Sequence, residues 1–163
     1  MTACAHPDRR VIPVYVVLPP RTLLLDVAGP VEVLRYANEE QDRILFDCHF
    51  VAAGQEQTTS IGLTLSRLEP LPERLPSGAF VIVSGSESEG AEPAAVTAEK
   101  AALTDWLGRV VHPGITLATI CSGALLAGAA GLLDGRPCTT HTDCIDDLDR
   151  KSTRLNSSHL GIS

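Results

Sequence analysis

The length, composition and charge of the chain limit what it can be. It has 163 residues, of which 44% are hydrophobic, and this is enough to build one domain with a real core. The net charge of -7, with no basic run until the last residues, argues against nucleic-acid binding by this stretch. Its apolar runs are too short for a membrane span, and the N-terminus lacks the ordered regions of a signal peptide.

Cysteine usage indicates the compartment. Five cysteines are scattered along the chain, at Cys4, Cys48, Cys121, Cys138 and Cys144. An odd number without a compact framework is typical of reduced thiols rather than disulfides. We therefore expect a cytoplasmic protein.

Apolar segments alternate with turn signals up to about residue 150. Pro30 marks a plausible helix start, apolar residues from Leu103 to Val111 recur at helical spacing, and Gly62 suits a small hairpin. Four short apolar runs predict buried strands, at 11–18, 44–53, 79–86 and 115–120. Strands that alternate with helices predict an α/β domain with a mostly parallel sheet.

The two ends of the chain are set apart from this domain. Residues 1–10 form an N-terminal extension. The segment KSTRLNSSHLGIS (151–163) is rich in serine and threonine, lacks periodicity, and looks like translated adapter or vector sequence. On that interpretation the natural protein continues beyond residue 150. The alternative is a native disordered tail.

The stretch TLATICSGALLAGAAGLL places Cys121 where a buried strand turns into a helix. A nucleophile elbow is such a turn, and it needs small neighbours, which Ser122, Gly123 and Ala124 supply. Backbone amides at the helix start would favour negative charge on the sulfur, and the Ser122 amide could serve as an oxyanion donor. The alternative is a buried, inert cysteine.

Two more residues follow strands at the same edge of the predicted sheet. Glu32 could be a carboxyl partner for the thiol, or only an acid that suits the first turn of a helix. Gly85 could supply a second oxyanion amide, or only end a strand. Both functional interpretations depend on Cys121 being presented by an elbow.

The segment CTTHTDC holds Cys138, His141 and Cys144, which are residue types that zinc can bind. Their spacing is not a standard zinc pattern, and no fourth ligand is near, so we expect no metal and place His141 beside the pocket instead. The charged runs AEPAAVTAEK and TDCIDDLDR are typical of solvated helix surfaces, and we assign them no function.

Taken in order, these motifs resemble the ThiJ/PfpI superfamily, which has a class I glutamine amidotransferase-like fold. The resemblance covers about residues 11–150 and rests on LLLDVAGPVEVLRYAN, FVIVSGS, ATICSGALLAGAAGLLDGR and CTTH. It implies a flavodoxin-like three-layer sandwich with a cysteine nucleophile elbow. Because the family domain continues for several more elements, it also implies that the C-terminal part of the domain is missing.

The resemblance also implies roles for individual residues. Cys121 matches the elbow cysteine, Glu32 the acid beside its sulfur, Gly85 and the Ser122 amide the oxyanion donors, and His141 the histidine of the Thr-Thr-His segment. No cofactor is implied. Peptidase and deglycase-like members commonly carry histidine directly after the cysteine, where Ser122 stands, so a protease is not expected.

Two functional hypotheses follow from this resemblance. The first is the N-terminal sensor domain of an AraC-type transcriptional regulator, which would bind a small molecule at the Cys121 pocket and form a homodimer. DNA would be contacted only by a helix-turn-helix domain absent from this chain, and no membrane is involved. The alternative is a hydratase of the isocyanide hydratase type, with Cys121 as nucleophile and Glu32 as proton shuttle. Whether the protein is an enzyme stays open.

Overall fold

A parallel sheet forms the centre of the fold. The computed structural model describes residues 9–87 and 92–151, the last through its backbone alone. Within these residues the strands of the main sheet are β1 (Arg10–Val17), β2 (Ile44–Ala52), β5 (Glu69–Pro70), β6 (Phe80–Val83) and β7 (Thr116–Thr119). They lie in the order β5-β2-β1-β6-β7, and all neighbouring strands run parallel. The predicted α/β class with a mostly parallel sheet is confirmed.

Helices cover both faces of the sheet, and a small hairpin lies beside it. The helices are α1 (Leu24–Glu40), α2 (Ala94–Val110), α3 (Ala124–Ala129) and α4 (Ile145–Lys151). The hairpin pairs β3 (Glu56–Thr58) with β4 (Thr64–Ser66), as the sequence predicts around Gly62. No helix in the described part of the chain has the length and apolar character needed to cross a membrane.

Two hydrophobic clusters hold the layers together, because β1 is buried on both faces. Val14 and Val16 pack on one side with Val27 of α1. On the other side, Val17 packs with Trp106 and other residues of α2. The β-branched side chains of β1 suit a strand with helices on both faces.

Helix α1 begins earlier than the sequence predicts. It starts at Leu24, and Pro30 lies inside it rather than at its first turn. The Leu23 N–H donates to the Gly85 carbonyl at 2.9 Å, and the Asp26 N–H donates to the Leu23 carbonyl at 3.1 Å. These bonds fix the first turn, so tertiary contact overrides the proline, which has no N–H to complete the helical bond to the Asp26 carbonyl.

Strand β6 and the segment after β7 also differ from the prediction. β6 ends at Val83, and Ser84 to Ser86 form a loop, whereas the sequence predicts a strand as far as residue 86. After β7, one turn of 3₁₀-helix (Cys121–Gly123) leads into the short helix α3. The predictions for residues 1–8 and for the tail beyond Lys151 lie outside the described residues.

Candidate functional site

The carboxyl ends of β1, β6 and β7 meet at one edge of the sheet, as expected for an α/β fold. The loops that follow these strands line a cavity of about 530 Å³. Leu23 comes from the loop after β1, Ser86 from the loop after β6, and Cys121 from the turn after β7. His141 contributes from the segment before α4, so the cavity gathers parts of the chain that are far apart in sequence.

Cys121 has the backbone geometry of a nucleophile elbow. Its φ angle is 52°, in the left-handed region that residues other than glycine rarely adopt. Ile120 before it is extended, and its N–H donates to the Val83 carbonyl at 2.9 Å, continuing the ladder between β6 and β7. The chain therefore turns abruptly at Cys121, which is half-buried and lines the cavity.

Gly123 explains why the residues after the cysteine are small. A Cβ atom at this position would lie 2.4 Å from the Val83 carbonyl oxygen and 2.9 Å from that of Ser84. No side chain can occupy that space without moving backbone, because both neighbours are carbonyl oxygens of the main chain. The elbow is thus packed directly against the end of β6.

Hydroxyl groups tie the elbow to its surroundings. The Ser122 hydroxyl accepts a hydrogen bond from the Ser86 N–H and donates one to the Ser86 carbonyl, both at 2.9 Å. The Thr140 hydroxyl donates to the Cys121 carbonyl at 3.0 Å. These bonds account for Thr140 in the Thr-Thr-His segment and show a use of the Ser122 side chain that the sequence did not indicate. The role of the Ser122 amide as an oxyanion donor stays a prediction.

Asp26 is the carboxylate at the elbow, and the sequence prediction missed it. The Gly85 N–H donates to Asp26 Oδ2 at 3.1 Å. A Cβ atom on Gly85 would lie 2.6 Å from Asp26 Oδ2 and 3.1 Å from the Cys121 Cβ. Gly85 therefore sits between the acid and the cysteine, and its missing side chain lets them approach. Since its amide already binds Asp26, its predicted service as an oxyanion donor would require that carboxylate to move.

The structure does not bring Glu32 to this site. Its carboxylate is exposed and accepts a 2.7 Å hydrogen bond from Arg35 Nε, which also raises the pKa of the Arg35 guanidinium. Asp26 and Glu32 lie on the same helix, and the helix directs only the earlier acid toward the elbow. The predicted place of Glu32 beside the sulfur is therefore wrong, and Asp26 is the acid of α1 that lies next to Gly85 at the elbow. The presence of Asp26 in the first turn of α1 was the available signal, but the predicted helix start at Pro30 concealed it.

His141 lines the cavity together with Cys121, as the sequence analysis places it. Its side chain is about half exposed, and its Nδ1 accepts a hydrogen bond from the Asp143 N–H at 3.4 Å. That bond caps the 3₁₀ turn that precedes α4. The contact leaves its predicted functional role untested.

The charged runs that we had assigned to solvated surface also reach the cavity. Glu92 and Lys100 form an ion pair in its wall, and both side chains are largely buried. Asp143 and Asp147 line it from the other side. Most residues of these runs are exposed or partly exposed, as predicted, so the interpretation misses only those that also line the cavity. Nothing in their local pattern distinguishes them from ordinary exposed helix residues, so only the tertiary structure reveals them.

A buried pair of hydroxyl groups joins the loops beneath the cavity. Thr22 Oγ1 lies 2.6 Å from Ser84 Oγ, and the Ser84 hydroxyl donates to the Val17 carbonyl at 3.0 Å. Both side chains are fully buried. The Thr22 hydroxyl also lies 3.4 Å from the Gly85 carbonyl oxygen, so either hydroxyl can be the donor within the pair. These bonds fasten the loops after β1 and β6 together.

Metal-binding side chains do not assemble in the part of the chain that the structure describes. No group of three or more histidine, cysteine, aspartate or glutamate residues there has the arrangement of a metal site. Cys138, His141 and Cys144 are included in those residues.

The chain is similar to known proteins in both sequence and structure. The family model described as the DJ-1/PfpI family matches residues 13–158. An uncharacterized protein in the cpoL 5' region of Streptomyces lividans is 32% identical over 130 residues, covering 78% of this chain and 86% of that protein.

Transcriptional regulators are also among the similar proteins. The HTH-type transcriptional regulator CdhR of Pseudomonas aeruginosa is 30% identical over 146 residues. The match covers 87% of this chain but only 40% of CdhR, so the chain spans well under half of that relative's length. A crystal structure of an AraC family transcriptional regulator from Pseudomonas putida matches with a TM-score of 0.61 at 20% identity, covering 86% of this chain and 72% of that one. The structural match supports the fold alone.

Proposed function

The chain belongs to the DJ-1/PfpI family, and on that basis we propose that it is the ligand-sensing domain of an AraC-type transcriptional regulator. The observation that carries the proposal is its similarity to CdhR along most of this chain.

The cavity at Cys121 is the proposed ligand site. Its volume of about 530 Å³ suits a small metabolite. Its wall combines the apolar side chains of Leu125 and Leu126 with polar groups such as Ser122 and His141. A ligand held there would contact the loops after β1, β6 and β7 together, so its binding could shift their relative positions.

DNA would be read by a different part of the regulator. The chain carries a net charge of -7, which opposes contact with a phosphate backbone. In our proposal a helix-turn-helix domain C-terminal to this one binds the DNA, in the cytoplasm. Extending the reading frame in the source genome tests this arrangement. A stop codon soon after the DJ-1/PfpI domain, with no helix-turn-helix, would contradict it.

We also propose that the domain forms a homodimer through α1 and the hairpin. Leu25, Val33 and Tyr36 of α1 are 57–80% exposed, and Ile61 and Leu63 beside the hairpin turn are 54–67% exposed. The Ser60 N–H donates to the Thr22 carbonyl at 3.0 Å, which holds the hairpin beside the start of α1. A contiguous patch of exposed apolar side chains is typical of interaction surfaces, and the dimer proposal takes these residues as one patch.

Sedimentation velocity over a range of concentrations tests the homodimer. Leu25→Asp places a charge on the exposed apolar surface without changing the core, because Leu25 is 80% exposed. We expect the wild-type chain to sediment as a dimer and this variant as a monomer. A wild-type chain that remains monomeric at high concentration would contradict the dimer.

Thiol protection tests the ligand site. Small metabolites that raise the thermal unfolding midpoint are selected first, because a ligand that binds only the folded state stabilises it. A metabolite in the cavity should then slow iodoacetamide labelling of Cys121 while the labelling of Cys138 stays unchanged. In a sensor, Cys121→Ala should retain binding, and the metabolite should be recovered chemically unchanged. Stabilising metabolites that leave the Cys121 rate unaltered would contradict this location.

The second candidate is a cysteine-dependent hydratase, and the placement of Asp26 favours it. A carboxylate near a cysteine on a strained elbow is an arrangement suited to nucleophilic catalysis. In this mechanism the Cys121 thiolate bonds to the terminal carbon of an isocyanide, and Asp26, in place of Glu32, transfers a proton to that carbon. Water then adds to the same carbon and releases the sulfur, leaving an N-substituted formamide.

Turnover of an alkyl isocyanide decides between the two candidates. The hydratase predicts formamide production that is lost in Cys121→Ala and in Asp26→Asn, and retained in Glu32→Gln. Glu32 is a matched control because it is an acid of the same helix that points into solvent. Absence of turnover, or turnover that survives Cys121→Ala, would contradict the hydratase.

A further inference from the structure

The Ser122 side chain makes an unusual pair of contacts. Its single hydroxyl accepts from the N–H and donates to the carbonyl of the same residue, Ser86, with both distances at 2.9 Å. The two partners are main-chain groups, so their positions depend on the loop itself and not on a flexible side chain. Both residues are partly buried, so loss of the hydroxyl would leave two poorly hydrated polar groups without this partner.

The loop that Ser122 binds is the loop that holds the carboxylate. Ser86 directly follows Gly85, and the Gly85 N–H donates to Asp26 Oδ2. Ser122 follows Cys121, and Ser86 follows Gly85, whose amide binds Asp26. The Ser122 hydroxyl therefore links the elbow to the loop that holds Asp26. Through it, the cysteine and the acid are positioned relative to each other.

The strain at Cys121 makes such a connection necessary. A non-glycine residue with a φ of 52° is strained and persists only where its surroundings enforce it. The Thr140 hydroxyl donates to the Cys121 carbonyl, and the Ser122 hydroxyl ties Ser122, the residue after Cys121, to Ser86. The two hydrogen bonds of the Ser122 hydroxyl contribute a free energy of the same order as that strain, so together they can offset it.

We propose that Ser122 is a positioning residue for Cys121, and that its hydroxyl holds the sulfur at the cavity by joining the elbow to the loop of Gly85 and Ser86. This inference rests on the proposed function only in taking the Cys121 cavity as the functional site. It applies to a sensor and to a hydratase alike. The sequence predicts a role for the Ser122 amide, whereas this role belongs to the Ser122 side chain.

Three substitutions separate the hydroxyl from the shape of the side chain. Ser122→Ala removes the hydroxyl. Ser122→Thr keeps the hydroxyl and adds a methyl group, and Ser122→Val has nearly the shape of threonine but no hydroxyl. The measurement is the rate of iodoacetamide labelling of Cys121 in the native chain, followed by mass spectrometry of its peptide. Cys48, which is half-buried in β2, is labelled in the same samples and reports any general loosening of the fold.

We expect Ser122→Ala and Ser122→Val to label Cys121 about fivefold more slowly than wild type, since the loss of one or two net hydrogen bonds lets the elbow relax from the cavity. Ser122→Thr should stay within about twofold of the wild-type rate, because the hydroxyl remains. The labelling of Cys48 should be the same in all four proteins. A purely structural role would instead raise Cys48 labelling in step with the loss of stability.

Besides a rise in Cys48 labelling, two results would overturn the proposal. One is a wild-type Cys121 rate in Ser122→Ala with Cys48 still protected. The other is equal slowing in Ser122→Thr and Ser122→Val, which would assign the effect to shape. Neither result depends on a ligand or on DNA. The sensor proposal fails by a different result, namely that no metabolite protects Cys121, so the two failures can be told apart.

Discussion

Cys121 and Cys48 are the same residue type in two different environments, one beside a cavity and the other packed in the core. Cys48 lies within β2, opposite Val14 of β1, and packs against the hydrophobic cluster beneath α1. Burial is the larger cause and the negative charge of Asp47 the smaller one, and both raise the pKa of the Cys48 thiol and favour its protonated form. Cys121 lies just past the end of β7, in strained backbone beside a cavity. Position relative to the end of a strand therefore separates a core thiol from a candidate functional one.

Adding one methyl group at the elbow should break the Cys121 region most severely. In Gly123→Ala the new Cβ would meet the Val83 carbonyl oxygen at 2.4 Å, which backbone must move to relieve. We expect a loss of about 3 kcal/mol or more in the free energy of unfolding, as found for severe overpacking. The measurement is urea denaturation followed by the fluorescence of Trp106, with loss of folded protein as the extreme form of the same result.

Gly29→Ala is the matched control for this prediction. Gly29 lies inside α1, and a Cβ there would meet no atom within 4 Å. Alanine should therefore raise the free energy of unfolding by about 0.5–1 kcal/mol, because it favours the helix over the unfolded chain. Equal effects of the two substitutions would remove the steric explanation of the small residues after Cys121.

The two acids of α1 should differ next. Asp26→Ala removes a carboxylate that accepts a hydrogen bond from the buried Gly85 N–H, and we expect a loss of about 2 kcal/mol in the free energy of unfolding. Glu32→Ala removes only an exposed ion pair with Arg35, which solvent screens, so we expect almost no change in the free energy of unfolding. Both changes are measured from the shift in urea midpoint at constant slope. A larger effect at Glu32 than at Asp26 would contradict the corrected assignment.

The smallest expected effect concerns the dependence of stability on pH at Cys48. Because its folded-state pKa is raised, its contribution is fully present below the ordinary thiol pKa of about 8.5 and is lost as the pH rises through the raised value. The free energy of unfolding of the wild-type chain should thus fall more steeply above about pH 8.5 than that of Cys48→Ala. The two proteins are compared by urea denaturation at a series of pH values. Parallel pH profiles would show that burial does not govern this thiol.

Most of the fold could be predicted from the sequence because the signals are local. Runs of β-branched and apolar residues marked the central strands, and Gly62 marked the hairpin turn. The elbow was also predictable, since Cys121 follows an apolar strand and is itself followed by the small residues that a tight turn requires. The failures at the ends of elements, such as the start of α1 and the end of β6, arise where hydrogen bonds between distant loops decide the boundary.

The site could be predicted only in part, for the same physical reason. Cys121 and His141 are placed at the cavity as expected, but the acid is Asp26 instead of Glu32. Choosing between these acids requires the direction of each side chain on α1, and that direction depends on where the helix starts. The pair of Glu92 and Lys100 lies outside the reach of local patterns, because only the packing of α2 brings it to the cavity.

The hydroxyl pair beneath the cavity has a consequence for the order in which the protein is made. Thr22 and Ser84 are 62 positions apart, and the bonds of Ser122 to Ser86 and of Thr140 to Cys121 span 36 and 19 positions. Contacts of such long sequence separation form slowly, since distant segments must first find each other. During synthesis on a ribosome, the elbow can acquire its final shape only after Thr140 has emerged. Before Thr140 has emerged, a nascent chain carries Cys121 as an ordinary flexible thiol. A change in the labelling rate of Cys121 would therefore report that Thr140 has been translated and that the elbow has folded.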